Sequence, residues 1–263
     1  MIWIKRNYKV VLLTIVFAGV SSLFFAFQVP TGFYEKDSIS AAIQAFCFIE
    51  NNTDLSLSIT ISAMMFVPII PLLGVFKHDY GTELWYCITR YRSRKRWFFK
   101  KTVFVLILSF VSAGTYFLTV FLATVSRGIF SPHFFFEKSH MFFFFFALRF
   151  LFTAFFSILL NIISIFTKLR YIVALGACLV LGCSMESVLE IRLNFTHSLN
   201  PYVHATYYFH SQAESGKSLI DGYIFKNITL EKSVVYFVAI IVLTLLIGII
   251  INDKIDIGIL EEE

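Results

Sequence analysis

Charged residues are scarce in this sequence. Lys, Arg, Asp and Glu make up 15% of the 263 residues, against about 25% in soluble domains, whereas hydrophobic residues make up 58%. So little charge does not cover the surface of a water-soluble domain of this size, which excludes a cytosolic enzyme. So many apolar side chains exclude a disordered chain. The class that remains is a helical membrane protein.

Cysteine is also rare, which excludes a secreted protein held together by disulfides. The four cysteines lie in unrelated settings and form no framework. We interpret them as small hydrophobic side chains or unpaired thiols: Cys47, Cys87, Cys178 and Cys183.

The motifs of membrane proteases and nucleotide-dependent enzymes are missing. There is no His-Glu-x-x-His sequence, and the Gly-Lys-Ser at 216–218 is half of a phosphate-binding loop, because Ser211 stands where the first Gly is required. The chain is therefore predicted to be no enzyme and to hold no metal or cofactor. Three histidines share one polar segment, and we interpret them as part of an interfacial aromatic belt rather than a metal site: His197, His204 and His210.

Long apolar runs make up most of the chain. A helix needs about 20 residues to cross a hydrocarbon core of about 30 Å, and six runs reach or approach that length. The first follows a basic stretch, as in a signal peptide, but is long enough to remain as an anchor. We predict an all-α, polytopic membrane protein, one domain over 1–263, with six transmembrane spans at 10–27, 55–76, 102–125, 141–166, 171–189 and 233–251.

The basic residues predict the orientation. With six spans both termini lie on one side, and that side carries 14 Lys and Arg residues against 7 on the other. Basic residues concentrate on the cytoplasmic side of a membrane, so both termini are predicted to be cytoplasmic in a plasma membrane. The segment at 191–232 is then extracellular, and the segment at 77–101 between spans two and three is cytoplasmic.

The cytoplasmic segment at 77–101 holds 8 of the 22 basic residues. At 100° per residue, Leu84 and Ile88 fall on one face, opposite to Arg90. This pattern predicts a short amphipathic helix over 81–97 that lies at the membrane surface and leads into span three. Two interpretations stay open: a charge cluster that binds anionic lipid and fixes the topology, or a docking element for a cytoplasmic partner.

The order of residues in this segment resembles the stretch after span two in permeases of ATP-binding-cassette (ABC) exporters of the type-2 group. In that family an acidic residue precedes Gly-Thr, an apolar helix follows, and a Ser-Arg pair and a Lys lead into span three. The family often has Pro before the Ser-Arg pair, where this chain has Arg92. The matching positions here are Asp79, Gly81, Thr82, Leu84, Ser93, Arg94 and Lys100 or Lys101.

The resemblance implies that the amphipathic helix is a coupling helix, which sits in a groove of a separate ATPase subunit. It also implies a working unit of two permeases, identical or different, and two ATPases, with ATP and Mg²⁺ bound by the ATPase. The compact size and Phe-rich spans resemble permeases of bacterial systems that export, or protect against, antimicrobial peptides. The residues expected to act in coupling are Asp79, Gly81, Thr82, Glu83, Leu84, Ile88, Arg90 and Arg94.

Polar residues and prolines inside the predicted spans are further candidates. Arg149 lies eight residues into span four, and Glu186 and Glu190 lie one turn apart near the external end of span five. A buried charge is costly unless it pairs or reaches water. Either Arg149 and Glu186 form a pair that fixes the spans or lines a substrate path, or span four starts later and Arg149 lies at the interface. Pro68 and Pro71 predict a kink in span two, which is a hinge or a static bend.

These features favour the membrane subunit of an ABC exporter that carries no catalytic residues. An aromatic, apolar path suits an amphipathic peptide or another hydrophobic substrate. One alternative is a non-enzymatic membrane sensor or immunity protein that binds an external ligand through 191–232. Another is a secondary transporter, against which the few intramembrane carboxylates weigh. Membrane lipids are expected partners, whereas nucleic acid is not, because the basic residues serve topology.

Overall fold

Four long helices form the frame of the molecule. The computed structural model describes residues 2–28, 63–76, 93–128, 139–167, 199–205 and 228–254, together with the single residues 133, 136 and 176. All regular structure in these ranges is helical. The helices are α1 (Ile2–Gln28), α2 (Arg94–Ser126), α3 (Ser139–Thr167), the short α4 (Pro201–Ala205) and α5 (Leu230–Lys254).

Each long helix is apolar over a length sufficient to cross a membrane. The prediction of an all-α membrane protein is therefore confirmed, and these helices coincide with the predicted first, third, fourth and sixth spans. Their outward faces carry exposed large hydrophobic side chains, which suit lipid and not water. The qualifying stretches are Tyr8–Phe27, Arg94–Ser126, Phe142–Ser164 and Leu230–Asn252.

The other two predicted spans are not seen as long helices in the described part of the chain. Of the second, residues 63–76 are described, and we call them the broken segment. They contain one α-helical turn at 63–66 and a 3₁₀ helix at Val67–Leu72. The predicted fifth span, 171–189, lies outside the described residues except for Gly176.

Side-chain contacts fix the directions of the first three long helices. Arg127, which follows α2, donates a hydrogen bond to the carbonyl of Ala26 near the end of α1, so these two helices run in the same direction. Phe142 at the start of α3 packs on Phe117 near the end of α2, with ring centres 6.2 Å apart, so α3 runs the opposite way. We call the end where α2 begins the basic end.

The last helix, α5, runs parallel to α3 and closes the bundle at the basic end. Phe237 in its first half packs on Phe155, with ring centres 6.4 Å apart. A Cβ atom added to Gly248 in its second half would lie 2.7 Å from both Ile162 Cδ1 and Phe98 Cζ. Because glycine has no side chain, α5 approaches α3 and α2 closely at this point.

Aromatic rings fill the space between the broken segment and α3. Phe66 packs edge-on against Phe152 and Phe156 of α3, with ring centres 5.5 and 4.9 Å apart. Phe66 and Phe152 are fully buried. Edge-to-face pairs are favourable beyond the apolar area they bury, so this cluster anchors the broken segment to α3.

Candidate functional site

The prolines of the broken segment change the type of helix. Pro68 and Pro71 both lie in the 3₁₀ helix Val67–Leu72. Pro68 has no N–H with which to bond the carbonyl of Met64, four residues before it. That carbonyl accepts a hydrogen bond of 2.8 Å from Ser21 Oγ of α1. A hydroxyl from a neighbouring helix thus satisfies the backbone that the proline leaves open.

Asn161 of α3 replaces a second helical hydrogen bond in the broken segment. In a continuous helix the N–H of Phe76 would donate to the carbonyl of Leu72. The helix ends before this bond can form, because Leu73 is extended and Gly74 follows it with a φ of 85°. Asn161 Nδ2 donates to Leu72 O at 2.9 Å, and Asn161 Oδ1 accepts from Phe76 N at 3.2 Å. The second Nδ2 hydrogen goes to Ser157 O of α3 at 2.8 Å, so this buried amide is bonded at both of its ends.

Aromatic rings and a lysine hold the end of the broken segment against α2. Phe76 packs edge-on against Trp97 and Phe98, with ring centres 6.0 and 5.4 Å apart. Lys101 Nζ donates to Val75 O at 3.1 Å. One cluster of packed side chains therefore holds the two ends of the basic segment at 77–101 together. We call this cluster the stem, and it consists of Leu72, Val75, Phe76, Trp97, Phe98, Lys101 and Asn161.

The start of α2 corrects the predicted boundary of the amphipathic helix. Ser93 is extended, and its side chain accepts a hydrogen bond of 3.2 Å from Arg96 N, as a helix cap does. The predicted helix over 81–97 is therefore wrong in its last part, because Arg94 to Trp97 belong to α2. Arg94 is the one predicted coupling residue that is described. The others lie outside the described residues: Asp79, Gly81, Thr82, Glu83, Leu84, Ile88 and Arg90.

Arg149 is a buried cation about 15 Å along the axis of α3 from Ser139, where the helix begins. Its side chain is 5% exposed, and its guanidinium carbon lies 4.5 Å from the centre of the Tyr116 ring of α2. Arg149 Nη2 donates to Ser21 Oγ at 3.4 Å. Since Ser21 also donates to Met64 O, one hydroxyl links α3, α1 and the broken segment.

The structure shows the contacts of Arg149 but does not place the membrane boundary. The helix begins at Ser139, two residues before the predicted start of span four, and its membrane-spanning stretch begins at Phe142, so both predicted settings stay predictions. The carboxylates predicted as partners, Glu186 and Glu190, lie outside the described residues. Beside Arg149 and Tyr116 runs a narrow cleft with no room for a water molecule, and its other walls are Ala113, Phe117, Phe145 and Phe146.

The opposite end of the bundle has its own polar cluster. The buried His204 ring of α4 stacks on Tyr236 of α5 with ring centres 4.0 Å apart, and its Nδ1 lies 2.8 Å from Ser233 Oγ. Tyr236 donates its hydroxyl to Leu199 O at 2.5 Å. These contacts attach α4 to α5. Among the described residues there is no group of three side chains that fits a metal ion.

The site residues that sequence reasoning missed are Asn161 and Ser21. Asn161 had a visible signal, because an amide within an apolar run needs partners inside the membrane. Ser21 had none, since a serine in a transmembrane helix commonly bonds to its own backbone, as Ser22 does to Gly19 O at 2.7 Å.

Comparisons with protein-family models, curated proteins and solved structures returned no match. The contacts described above define the candidate site by two buried side chains of α3: Asn161 in the stem, and Arg149 beside Ser21 and Tyr116.

Proposed function

We propose that the chain is the membrane subunit of an ATP-driven ABC exporter that works with a separate ATPase. Two features support this assignment: the residue order in 77–101, and the stem, which joins the chain before that segment to the start of α2. In this proposal the part of the basic segment that precedes α2, together with Arg94, docks on the ATPase, and two membrane subunits and two ATPases form the working unit. ATP and Mg²⁺ bind to the ATPase, and the chain itself supplies no catalytic group.

The stem is the single observation that carries the proposal furthest. A docking loop transmits motion only if its ends are fixed to the helices that must move. Phe76, directly before the segment, is bonded to Asn161 of α3 and packs on Trp97 in the first turn of α2, near the other end of the segment. A displacement of the loop therefore moves α2, α3 and the broken segment together, because the residues of the stem belong to these elements.

The directions of the described helices support the six-span topology. α1 and α2 both begin at the basic end, so the chain between Gln28 and Arg94 crosses the membrane an odd number of times. α3 and α5 both arrive at the basic end, so the chain between Thr167 and Leu230 also crosses an odd number of times. One crossing in each interval gives six spans. The basic end is then cytoplasmic, with both termini there.

The substrate class proposed is an amphipathic peptide or another hydrophobic compound. The described transmembrane helices carry many phenylalanine side chains and few charges, whereas the cleft beside Arg149 is too narrow to hold a substrate in this conformation. Such an interior offers no set of carboxylates or amides for binding ions or sugars in the described ranges. An apolar interior matches an apolar cargo.

The proposal is tested by co-purification with the ABC ATPase encoded beside this chain. We expect the complex to hydrolyse ATP, and Glu83→Lys or Arg90→Glu to lower the ATPase activity recovered with the membrane subunit about tenfold or more, since charge reversal at a docking surface breaks paired contacts. Lys232→Glu, an exposed change at the opposite end, is the matched control and should leave it unchanged.

If no ATPase co-purifies with the unmodified chain, the proposal is contradicted. Equal activity in both docking variants and the control would contradict it as well. Either result leaves the membrane sensor or immunity protein as the better assignment, because that function needs no ATPase.

A further inference from the structure

The first two turns of α2 have one solvent-exposed face. Lys95, Arg96 and Lys100 are exposed there, and the Phe99 ring is 68% exposed between them. The other face of the same turns carries Trp97, which is buried in the stem. The helix therefore separates two surfaces, one committed to packing and one that combines three cations with an aromatic ring.

The exposed face continues into an apolar stripe. Val103, Ile107 and Phe110 are 36, 49 and 55% exposed and follow Phe99 at intervals of four, four and three residues, which places all four side chains on one side of the helix. The basic residues lie at the end of this stripe that is nearer to the start of α2, within one helical turn of Phe99. No acidic residue lies in the first turn of α2.

The length of α2 gives the depth of these residues in a membrane. A helix of 33 residues is about 50 Å long, whereas about 20 residues cross the hydrocarbon core. The uncharged part after Lys101 fills the core. Lys95, Arg96 and Lys100 then lie at the depth of the lipid headgroups, and the apolar stripe lies at the depth of the acyl chains.

We infer that this face of α2 binds an anionic phospholipid, with its phosphate at Lys95, Arg96 and Lys100. An acyl chain lies along Phe99, Val103, Ile107 and Phe110. The order of charges and apolar residues along the face matches the order of headgroup and chain in a phospholipid. Each basic residue near an anionic membrane surface contributes about fivefold in affinity.

A lipid fits this face better than a protein partner does. A water-soluble subunit reaches the basic residues but not the stripe, because Ile107 and Phe110 lie within the bilayer. The inference goes beyond the proposed function, since lipid binding here requires no ATPase.

The test is a titration of the purified full chain, in neutral detergent, with phosphatidylglycerol and with phosphatidylcholine, read by native mass spectrometry. We expect one phosphatidylglycerol molecule to bind more tightly than the others and more tightly than phosphatidylcholine. The triple variant Lys95→Gln/Arg96→Gln/Lys100→Gln should weaken that binding about 100-fold. The double variant Lys9→Gln/Lys232→Gln removes exposed charges from other helices and should leave it unchanged.

Two further arms keep the outcome decisive. The charge-conserving variant Lys95→Arg/Arg96→Lys/Lys100→Arg should bind as the unmodified chain does, which separates lost charge from a damaged fold. Glycerol phosphate, which lacks acyl chains, should not compete. Equal phosphatidylglycerol binding by the glutamine triple variant and the unmodified chain would overturn the inference. So would a triple variant that loses a protein partner and keeps the lipid, because the surface would then belong to that partner.

Discussion

Two of the buried polar side chains of helix α3, Asn161 and Arg149, lie about 18 Å apart along its axis and are bonded in different ways. Asn161 bonds to the backbone of the broken segment at two atoms, Leu72 O and Phe76 N. Arg149 contacts side chains instead, the Tyr116 ring and the Ser21 hydroxyl.

This difference gives Asn161 a structural role, whereas Arg149 can be replaced without loss of the fold. Backbone groups cannot change their chemistry, so a side chain that completes them inside a membrane is required for the fold. Side-chain partners can rearrange or be substituted together. We therefore expect substitutions at the stem to lower the stability of the fold strongly, and substitutions at Arg149 to change it little.

The largest effect is expected for Asn161→Leu. The leucine has a similar volume but leaves Leu72 O and Phe76 N buried without their partner, which costs about 3 kcal/mol or more. Thermal unfolding in detergent should show a clear fall in the midpoint. Ser164→Ala, whose hydroxyl bonds within α3 to Asn161 O at 2.9 Å, is the control and should change little. Similar midpoints for the two variants would remove the structural role assigned to Asn161.

A smaller effect is expected for Ser21→Ala. This change removes the donor to Met64 O, the carbonyl that Pro68 leaves open, and costs about 1 kcal/mol. Ser22→Ala is the matched control in the next position of the same helix, because that hydroxyl bonds only to Gly19 O in the contacts described above. The same unfolding measurement distinguishes the two. A Ser22→Ala loss as large as that of Ser21→Ala would argue against a specific link between α1 and the broken segment.

The smallest change in stability is expected for Arg149→Met. Replacing a buried charge with an apolar side chain of similar length relieves its desolvation, so the unfolding free energy should stay within about 1 kcal/mol. Pairing of Arg149 with Glu186 gives a different result. The single variant would then lose about 3–5 kcal/mol, and exchanging the two charges would restore much of it. Unfolding of the single and exchanged variants decides between a site of aromatic and hydroxyl contacts and an ion pair.

The transmembrane helices were predictable because the hydrocarbon core imposes a length that hydropathy records. The end of α2 was predicted within one residue, at 125 against Ser126. Its start was not, because the helix continues from Thr102 back to Arg94 through five basic residues. Charge marks where the hydrocarbon ends, but a helix does not need to stop there.

The partners of the broken segment were not predictable in the same way. Pro68 and Pro71 indicate a break, and a break requires partners, but nothing local identifies them. Ser21 lies 43 residues before Met64, and Asn161 lies 85 residues after Phe76. Such pairs depend on how helices are arranged around one another, which one sequence without its relatives does not record.

The distance in sequence between Phe76 and Asn161 has a consequence for biosynthesis. At about 5–20 residues per second, a ribosome needs roughly 4 to 17 s to add the 85 residues that separate them. The broken segment therefore reaches the membrane before the ribosome has added Asn161, whose side-chain amide bonds to its backbone. The insertion machinery, water or a transient partner must shelter Leu72 O and Phe76 N until α3 arrives. Slowing elongation between these two positions should therefore lower the yield of folded protein, whereas slowing it after α3 should not.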